Sequence, residues 1–221
     1  GSEMCIRDSY KMLGQGDTEG VFQLESSGMK QVLVGLQPQN LEDVIALISL
    51  YRPGPMDSIP TYLRNRHEPD KISYKTPQLA HILDVTNGCI VYQEQVMQIF
   101  RELAGFSFGQ ADNVRRAMSK KKHAVMEAER EHFVHGCTEP GHECPGCVAN
   151  GISEKVANEI YDEMSSFASY AFNKSHAACY AYVAFQTAYL KCHYPSEFMA
   201  ALLTSVLDNT DKVIELSLIH I

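Results

Sequence analysis

The chain has 221 residues, of which 45% are hydrophobic and 21% are charged, and its formal net charge is −8. This composition is typical of a soluble globular protein with one or two domains, and the charge argues against a surface that is basic everywhere. We expect no membrane span, because no apolar run reaches about 18 residues, and no secretory signal, because the N-terminus lacks a basic and then apolar pattern.

The cysteines predict a reduced, cytoplasmic protein. There are seven, an odd number, and three of them lie within the eleven residues 137–147. A disulfide framework would be spaced more evenly in a smaller chain.

The first and last residues differ in pattern from the rest. Residues 1–9 and 216–221 show no clear helical period or cap, and we expect both to be non-native tails around one functional region, 10–215. Within that region helical patterns dominate and predict a mainly α fold, a multi-helix domain with a few short strands. The weak strand signals lie at residues 20–24, 71–74 and 89–92.

The first strong helix signal follows Asn40. Its side chain can cap a helix over residues 41–51, which Pro53 ends. Residues 52–60 contain three prolines and predict a stiff turn.

Two further helical segments precede a long loop. The first has an apolar face with i, i+3, i+4, i+7 spacing and ends at Gly105. That face consists of Val96, Ile99, Phe100 and Leu103. The second, 109–134, predicts two helices with a bend near Ser119, and a loop at 137–151 follows.

Three helices are predicted after that loop. Ser153 can cap the helix 154–168. Residues 175–193 are nearly all apolar and small, so we expect a buried helix there. Pro195 then opens a helix from a first-turn position.

Three basic elements are candidate anion-binding groups. Arg115, Arg116 and Lys120 lie in the stretch 112–123, which carries five Lys or Arg residues against one Asp. Arg52 precedes two prolines that fix its position. Such groups suit a polyphosphate or a nucleic-acid backbone, but a solvated basic face and a surface arginine explain them equally well.

The third element is the helix start at Lys174, Ser175 and His176. A helix N-terminus offers unpaired backbone N–H groups to phosphate. Ser175 is the candidate cap and Asn173 is another, and taken alone an ordinary cap is the simpler interpretation.

A metal site is a further hypothesis for the long loop. Cys137, His142, Cys144 and Cys147 offer four ligands that zinc could take tetrahedrally, against the alternative of a surface insertion that happens to contain cysteines. The chain has no Gly-rich phosphate loop and no Asp-x-Asp pair for magnesium ions.

Four long segments closely resemble one protein family. Residues 16–30, 46–60, 91–122 and 172–205 are similar to the alpha subunit of bacterial DNA polymerase III, the family C replicative polymerases of the DnaE type. The resemblance runs from Tyr10 to Glu215 and concerns the fingers region. Two departures are Ser119, where the family usually has glycine, and the length of the Cys/His loop.

The resemblance implies a DNA-directed DNA polymerase, a nucleotidyltransferase, of which this fragment binds the incoming dNTP and the nascent base pair. It assigns the arginines of 115–116 to the triphosphate, the polar residues of 174–176 to phosphate or sugar, and two aromatic residues to the base. The implied nucleotide-binding residues are Arg52, Arg115, Arg116, Lys120, Lys174, Ser175, His176, Tyr170 and Phe172, with Lys121 as a neighbour.

The resemblance also implies cofactors and partners. Mg²⁺ would be held by palm residues outside this chain, so we expect the fragment alone to be inactive. The implied partners are primer-template DNA, dNTP, the palm and thumb, and the sliding clamp and other replisome subunits through other regions, with no membrane. Two alternatives stay open: a stand-alone nucleotide- or nucleic-acid-binding module without catalysis, and a structural zinc-knuckle interaction domain.

Overall fold

The computed structural model describes residues 2–120, 123–168 and 170–219 and confirms a mainly helical fold. The α-helices are α1 Ser2–Gly14, α2 Ser27–Leu36, α3 Leu41–Leu50, α4 Ile59–His67, α5 Ala80–Leu83, α6 Gln93–Ala104, α7 Phe108–Ser119, α8 His123–His135, α9 Gly146–Ala149, α10 Glu154–Ala168, α11 Lys174–His193, α12 Pro195–Ser205 and α13 Thr210–Ile219. No described helix is long and apolar enough to cross a membrane.

The chain forms two compact units. Unit 1 consists of Gly1–Ile48 and Ala177–Ile221, and unit 2 consists of Ser49–His176. All nine residues that the resemblance assigns to the nucleotide belong to unit 2.

The core of unit 1 contains leucine side chains from α1, α2 and the segment between them. Leu13, Leu24 and Leu33 are completely buried. Lys191 of α11 holds the same segment by ion pairs, since its Nζ lies 2.5 Å from an oxygen of Asp17 and 3.5 Å from an oxygen of Glu19. Burial of these leucines, together with the ion pairs of Lys191, fixes the 16–24 segment without a strand.

The core of unit 2 is built around aromatic rings of α6, α8 and α10. The ring of Phe100 lies 5.1 Å from that of Phe133 and 6.0 Å from that of Tyr161, both edge-on. The hydroxyl of Tyr161 donates to the carbonyl of Met126 at 2.6 Å, so its one polar atom is satisfied. Burial raises the pKa of Tyr161 well above its usual range.

The caps predicted at Asn40 and Ser153 are confirmed. The side chain of Asn40 accepts from the N–H of Asp43 at 3.0 Å, and that of Ser153 accepts from the N–H of Val156 at 3.4 Å. Gly105 ends α6 with a φ of 75°, and Pro195 is in the first turn of α12. The four apolar residues predicted to face the core from α6 are all completely buried: Val96, Ile99, Phe100 and Leu103.

The three short strands are not formed in the described part of the chain. Residues 20–24 turn instead, because Gly20 and Gln23 adopt φ values of 76° and 65°. Lys71 belongs to a 3-10 turn, and residues 89–92 are extended but make only one isolated parallel bridge, between Tyr92 and Phe172. These signals therefore mark turns and irregular connections between helices.

Two other predictions need correction. Residues 2–9 and 216–219, which show no clear period in the sequence, belong to α1 and α13, although whether they are native stays a prediction. Helix α11 is buried on only one side, since Tyr182 and Leu190 are 58% and 46% exposed.

The 137–151 loop is closed by a short neck. The backbone groups of Cys137 and Cys144 exchange two hydrogen bonds of 2.9 Å. Gly146, with a φ of 77°, packs so closely that a Cβ there would lie 2.3 Å from the backbone nitrogen of Gly136. Only glycine fits this contact, which holds the loop base against the end of α8.

Lowering the pH should weaken unit 1 through Glu19. Burial acts to raise its pKa, but the hydrogen bond and charge of Lys30, together with Lys191, lower it from 4.5 to about 2. Since the folded-state pKa lies below the unfolded value, the stabilisation is complete above about pH 4.5 and is lost as the pH falls toward 2. Urea unfolding at pH 6 and pH 3 measures this effect. The difference in the free energy of unfolding between wild type and Glu19→Gln should be smaller at pH 3 than at pH 6. An equal difference at the two pH values would contradict the prediction.

Truncation of the central aromatic ring should strongly destabilise unit 2. We expect Phe100→Ala to lower the free energy of unfolding by about 3–5 kcal/mol, because it leaves a cavity among packed rings. Phe108→Ala is the matched control, since Phe108 is 65% exposed and should change stability by less than about 1 kcal/mol. Urea denaturation followed by circular dichroism gives both values, and similar losses would contradict the assignment of the core.

Candidate functional site

Arg115 is the best-fixed of the predicted site residues. It projects from α7, whose start is set by a capping box between Ser107 and Gln110. Its Nε and Nη2 both donate to Oδ1 of Asp112, at 3.0 and 2.8 Å, and its Nη1 donates to Oε1 of Gln93 at 3.1 Å. With its side chain only 17% exposed, Arg115 is held in one orientation.

Asp112 also binds the neighbouring arginine. The Nε of Arg116 lies 2.8 Å from its Oδ2, while the Arg116 side chain stays 64% exposed. The hydrogen bond from Arg115, followed by the charges of both arginines, holds the pKa of the Asp112 carboxyl below its usual range. Lys120 is exposed at the end of α7, and Lys121 lies outside the described residues.

Gln93 joins this arginine cluster to the segment before α11. Its backbone N–H donates to the carbonyl of Phe172 at 2.9 Å, and its Nε2 donates to the carbonyl of Ala171 at 3.1 Å. Its Oε1 accepts from Arg115. The two predicted elements, 115–116 and 170–176, therefore meet through one side chain.

A buried amide fixes the chain just before Gln93. Gln95 is 4% exposed, and its Oε1 accepts from the N–H groups of Val91 and Tyr92 at 2.9 and 3.0 Å. Its Nε2 donates to the carbonyl of Ile82 and to the hydroxyl of Thr86. All of its polar capacity is used, which is what a buried amide requires.

Arg52 is the third basic element, and it contacts the same segment. Its Nη2 donates to the carbonyl of Tyr170 at 2.7 Å, and its guanidinium lies 4.0 Å from the ring centre of Phe172. Burial lowers the pKa of Arg52. The turn that contains Arg52 and Gly54 packs closely against Tyr170. Gly54 has a φ of 101°, and a Cβ there would lie 2.5 Å from the Tyr170 ring.

The start of α11 confirms one of the two caps predicted there. Asn173, rather than Ser175, caps the helix and accepts from the N–H of His176 at 2.9 Å. The carboxylate of Glu94 accepts from the N–H of Lys174 at 3.1 and 3.2 Å. Protein oxygens therefore already occupy part of the helix end that was expected to face a phosphate.

The side chains around that helix start are accessible. Ser175 and His176 are exposed, and the His176 ring packs edge-on against Phe172 with centroids 5.3 Å apart. The Nζ of Lys174 lies 5.3 Å from the ring centre of Tyr92. Tyr170 is 42% exposed.

A cavity of about 480 Å³ lies between α6 and α7, within unit 2. Arg115 is the one predicted nucleotide-binding residue on its wall; the other eight, all described, are not part of its lining. The remaining lining residues are Gln93, Glu94, Met97, Gln98, Arg101, Glu102, Phe108, Asp112 and Asn173. Through Asp112 and Gln93, Arg115 is connected to Arg116 and to the segment on which Arg52 packs, but the nine predicted residues do not line one hollow.

The predicted zinc site is not formed. Among the described residues, no three His, Cys, Asp or Glu side chains are arranged to hold a metal ion. Cys147 is completely buried within the apolar core, where burial raises its pKa to about 12, while His142 is exposed. Burial also raises the pKa of the Cys144 thiol.

Comparison with known proteins identifies the family of this chain. The family model of the bacterial DNA polymerase III alpha subunit finger domain matches residues 4–141, more than half of the chain. The chain belongs to this family. The match includes Arg52, Arg115, Arg116 and Lys120 and ends before Tyr170.

Two relatives extend the similarity over most of the chain. DNA polymerase III subunit alpha of Thermus aquaticus is 50% identical over 212 residues, which are 94% of this chain and 17% of that protein. The subunit of Staphylococcus aureus strain Mu50 is 45% identical over 207 residues, 94% of this chain and 18% of that protein. The finger-domain chain therefore spans less than a fifth of the length of these relatives.

Four residues of the finger-domain network were missed by sequence reasoning. They are Gln93, Glu94, Gln95 and Asp112. The contacts of Asp112 could have been predicted, because it lies three residues before Arg115 and four before Arg116 on one helix. The partners of Gln93 and Glu94 are distant in sequence and leave no local pattern. Gln95 accepts from the N–H groups three and four residues before it, but its donors go to the more distant Ile82 and Thr86.

Replacing Asp112 should loosen both arginines. We expect Asp112→Asn to lower the free energy of unfolding by about 1–3 kcal/mol, because partly buried Arg115 loses its charged acceptor. Glu127→Gln is the control, since Glu127 is 74% exposed, lies 3.9 Å from Arg130, and should contribute less than about 1 kcal/mol. Equal urea midpoints for Asp112→Asn and wild type would show that the carboxylate does not restrain Arg115.

Proposed function

We propose that this chain is the fingers region of a replicative DNA-directed DNA polymerase and that it binds the incoming dNTP and the nascent base pair. The observation that carries the proposal is the orientation of Arg115 by Asp112 and Gln93, in the unit that also holds Arg52 and residues 170–176. An arginine held in this way loses little entropy when it binds a phosphate.

The arginines supply the contacts to the triphosphate in this proposal. Arg115 presents a fixed guanidinium on the cavity wall, and exposed Arg116 beside it reaches a neighbouring phosphate. Lys120, one helical turn after Arg116, adds a further positive charge. Guanidinium groups suit this role because their donors match the geometry of phosphate oxygens.

The segment 170–176 supplies the contacts to base and sugar. Exposed Tyr170 and the Phe172 ring, on which Arg52 packs, offer aromatic surface near the base. Lys174, Ser175 and His176 then meet phosphate or sugar with their side chains. Backbone binding is not part of the proposal, because Glu94 and Asn173 already accept from N–H groups of this helix start.

The reaction would be nucleotidyl transfer, in which a primer 3′-oxygen attacks the α-phosphate and pyrophosphate leaves. Positioning and charge neutralisation by fixed cations provide much of the catalysis in such reactions. In this proposal the ligands of Mg²⁺ belong to the palm, outside this chain, as the family resemblance implies. Primer-template DNA, the palm and thumb, the sliding clamp and a cytoplasmic location belong to the same proposal.

Loss of either arginine should slow incorporation by the complete subunit. We expect Arg115→Ala or Arg116→Ala to cost about 2–4 kcal/mol of transition-state stabilisation, or about 30- to 1,000-fold in rate. Arg115→Lys should recover only part of this, because an ammonium cannot make the contacts to Asp112 and Gln93 together. Single-turnover incorporation of one dNTP measures each effect.

The control for this experiment is Lys155→Ala. Lys155 has a side chain that is 87% exposed on α10, and its loss should leave incorporation unchanged. Near-normal rates for both arginine variants would refute the assignment. Nucleotide binding without incorporation by the wild-type complete subunit would favour the alternative of a binding module without catalysis.

A further inference from the structure

The backbone of Gln93 is fixed independently of its side chain. Its N–H donates to the carbonyl of Phe172 at 2.9 Å, and the N–H of Phe172 donates to the carbonyl of Val91 at 3.2 Å. These two bonds form the isolated parallel bridge between Tyr92 and Phe172. Because neither bond uses the Gln93 amide, a change of that side chain leaves the segments before α6 and before α11 paired.

The side-chain amide of Gln93 adds a contact between different elements. Its Oε1 accepts from Nη1 of Arg115 at 3.1 Å, and its Nε2 donates to the carbonyl of Ala171 at 3.1 Å. The bonds from Arg115 to Asp112 stay within α7, three residues apart. Among the hydrogen bonds and ion pairs of the Arg115 guanidinium to described residues, the bond to Gln93 is therefore the one that fixes it relative to the segment 170–172.

Arg115 keeps donors for a ligand despite these bonds. A guanidinium has five N–H donors, and Asp112 and Gln93 accept from three of them. The other two, one on each terminal nitrogen, have no hydrogen-bond partner in the described part of the chain, and Arg115 lies on the wall of the cavity between α6 and α7. Two such donors suit the oxygens of a phosphate. Gln93 thus orients the guanidinium without using all of its donors.

An amide suits this bridge better than a charged side chain does. Its oxygen is neutral, so it orients Arg115 without neutralising it. Asp112 already pairs with both Arg115 and Arg116, and two arginines with one carboxylate leave one positive charge. A second carboxylate at position 93 would cancel that charge, and it would also lack a donor for the carbonyl of Ala171.

We propose that Gln93 is a positioning residue for base selection. Its amide fixes Arg115 relative to the segment 170–172, so that the triphosphate is aligned only when the base is seated against that segment. This inference rests on the proposed function, in which Arg115 binds the triphosphate and the segment 170–176 binds base and sugar. A correct base pair makes both contacts at once. A mispaired base does not seat on the segment and gains little from the link.

Removal of the amide should slow correct incorporation more than misincorporation. The test variant is Gln93→Met, which keeps the side-chain length, in the complete subunit with primer-template DNA. We expect the maximal single-turnover rate with the correct dNTP to fall about tenfold, because a hydrogen bond to a charged group is lost. The rate with a mismatched dNTP should fall less than about twofold, so the ratio of the two rates should fall about fivefold or more.

Two controls separate positioning from a general loss of structure. Gln31→Met makes the same change at an exposed glutamine of α2 and should leave both rates unchanged. In an Arg115→Ala background, Gln93→Met should change the correct rate by less than about twofold, because Gln93 acts through Arg115. A purely structural role would multiply the two losses instead.

A second variant tests the charge argument without relying on the methionine variant. Gln93→Glu keeps an acceptor for Arg115 but adds a negative charge beside it. We expect the apparent Kd for the correct dNTP to rise about fivefold or more, because the added charge repels the triphosphate.

Three results would overturn the proposal. They are an unchanged ratio of correct to mismatched rates for Gln93→Met with a wild-type circular dichroism spectrum, a further loss of about tenfold in the Arg115→Ala background, and an unchanged apparent Kd for Gln93→Glu. The last result decides the matter if Gln93→Met does not fold.

The arginine variants distinguish failure of this proposal from failure of the proposed function. If Arg115→Ala and Arg116→Ala slow incorporation while Gln93→Met keeps the wild-type ratio, the nucleotide role is retained and the positioning role is rejected. If neither arginine substitution slows incorporation, the nucleotide role itself is rejected, and the positioning role is rejected with it.

Discussion

The side-chain amide of Gln93 connects elements that are far apart in the sequence. Its oxygen accepts from Arg115, and its nitrogen donates to the carbonyl of Ala171, 78 residues away. An amide can do this because it offers a donor and an acceptor on one planar group. Without this bridge, Arg115 would lose its connection to the segment 170–172, which would then be held by Arg52 and by the backbone bridge between Tyr92 and Phe172.

The electrostatics of the arginine cluster follow from the same geometry. Partial burial of Arg115 costs solvation energy, and the carboxylate of Asp112 offsets that cost with two charge-assisted hydrogen bonds. Because Asp112 also binds Arg116, the net positive charge of the cluster is smaller than its number of arginines. The attraction that remains for a polyanion depends on orientation more than on total charge.

The sequence predicts those features that depend on neighbouring residues. The caps at Asn40 and Ser153 and the buried face of α6 involve contacts within one or two helical turns, so their patterns are visible in the chain. The predicted strand at 20–24 failed because an apolar run does not reveal the positive φ of Gln23. An apolar run of this length is equally compatible with a strand and with a turn.

The sequence and the family resemblance named several residues of the candidate site but not the contacts between them. The basic elements and the family resemblance pointed to Arg52 and Arg115, but Arg52 meets Tyr170 across 118 positions and no local pattern encodes such a pair. Likewise, the helix start at Lys174 has the signature of an anion site, and only tertiary structure places Glu94 there. Cys147 looked like a zinc ligand because spacing does not show that its side chain faces the core.

The neck of the 137–151 loop has a consequence for how this domain can vary. The hydrogen-bonded backbones of Cys137 and Cys144 bring the two sides of the loop together before its tip. The close contact of Gly146 with Gly136 keeps the base of the loop in place. Residues 138–143 are thereby insulated from the hydrophobic core, so they can lengthen, shorten or accept a grafted peptide with little effect on it. The exposed tip is therefore a ready attachment point for a label.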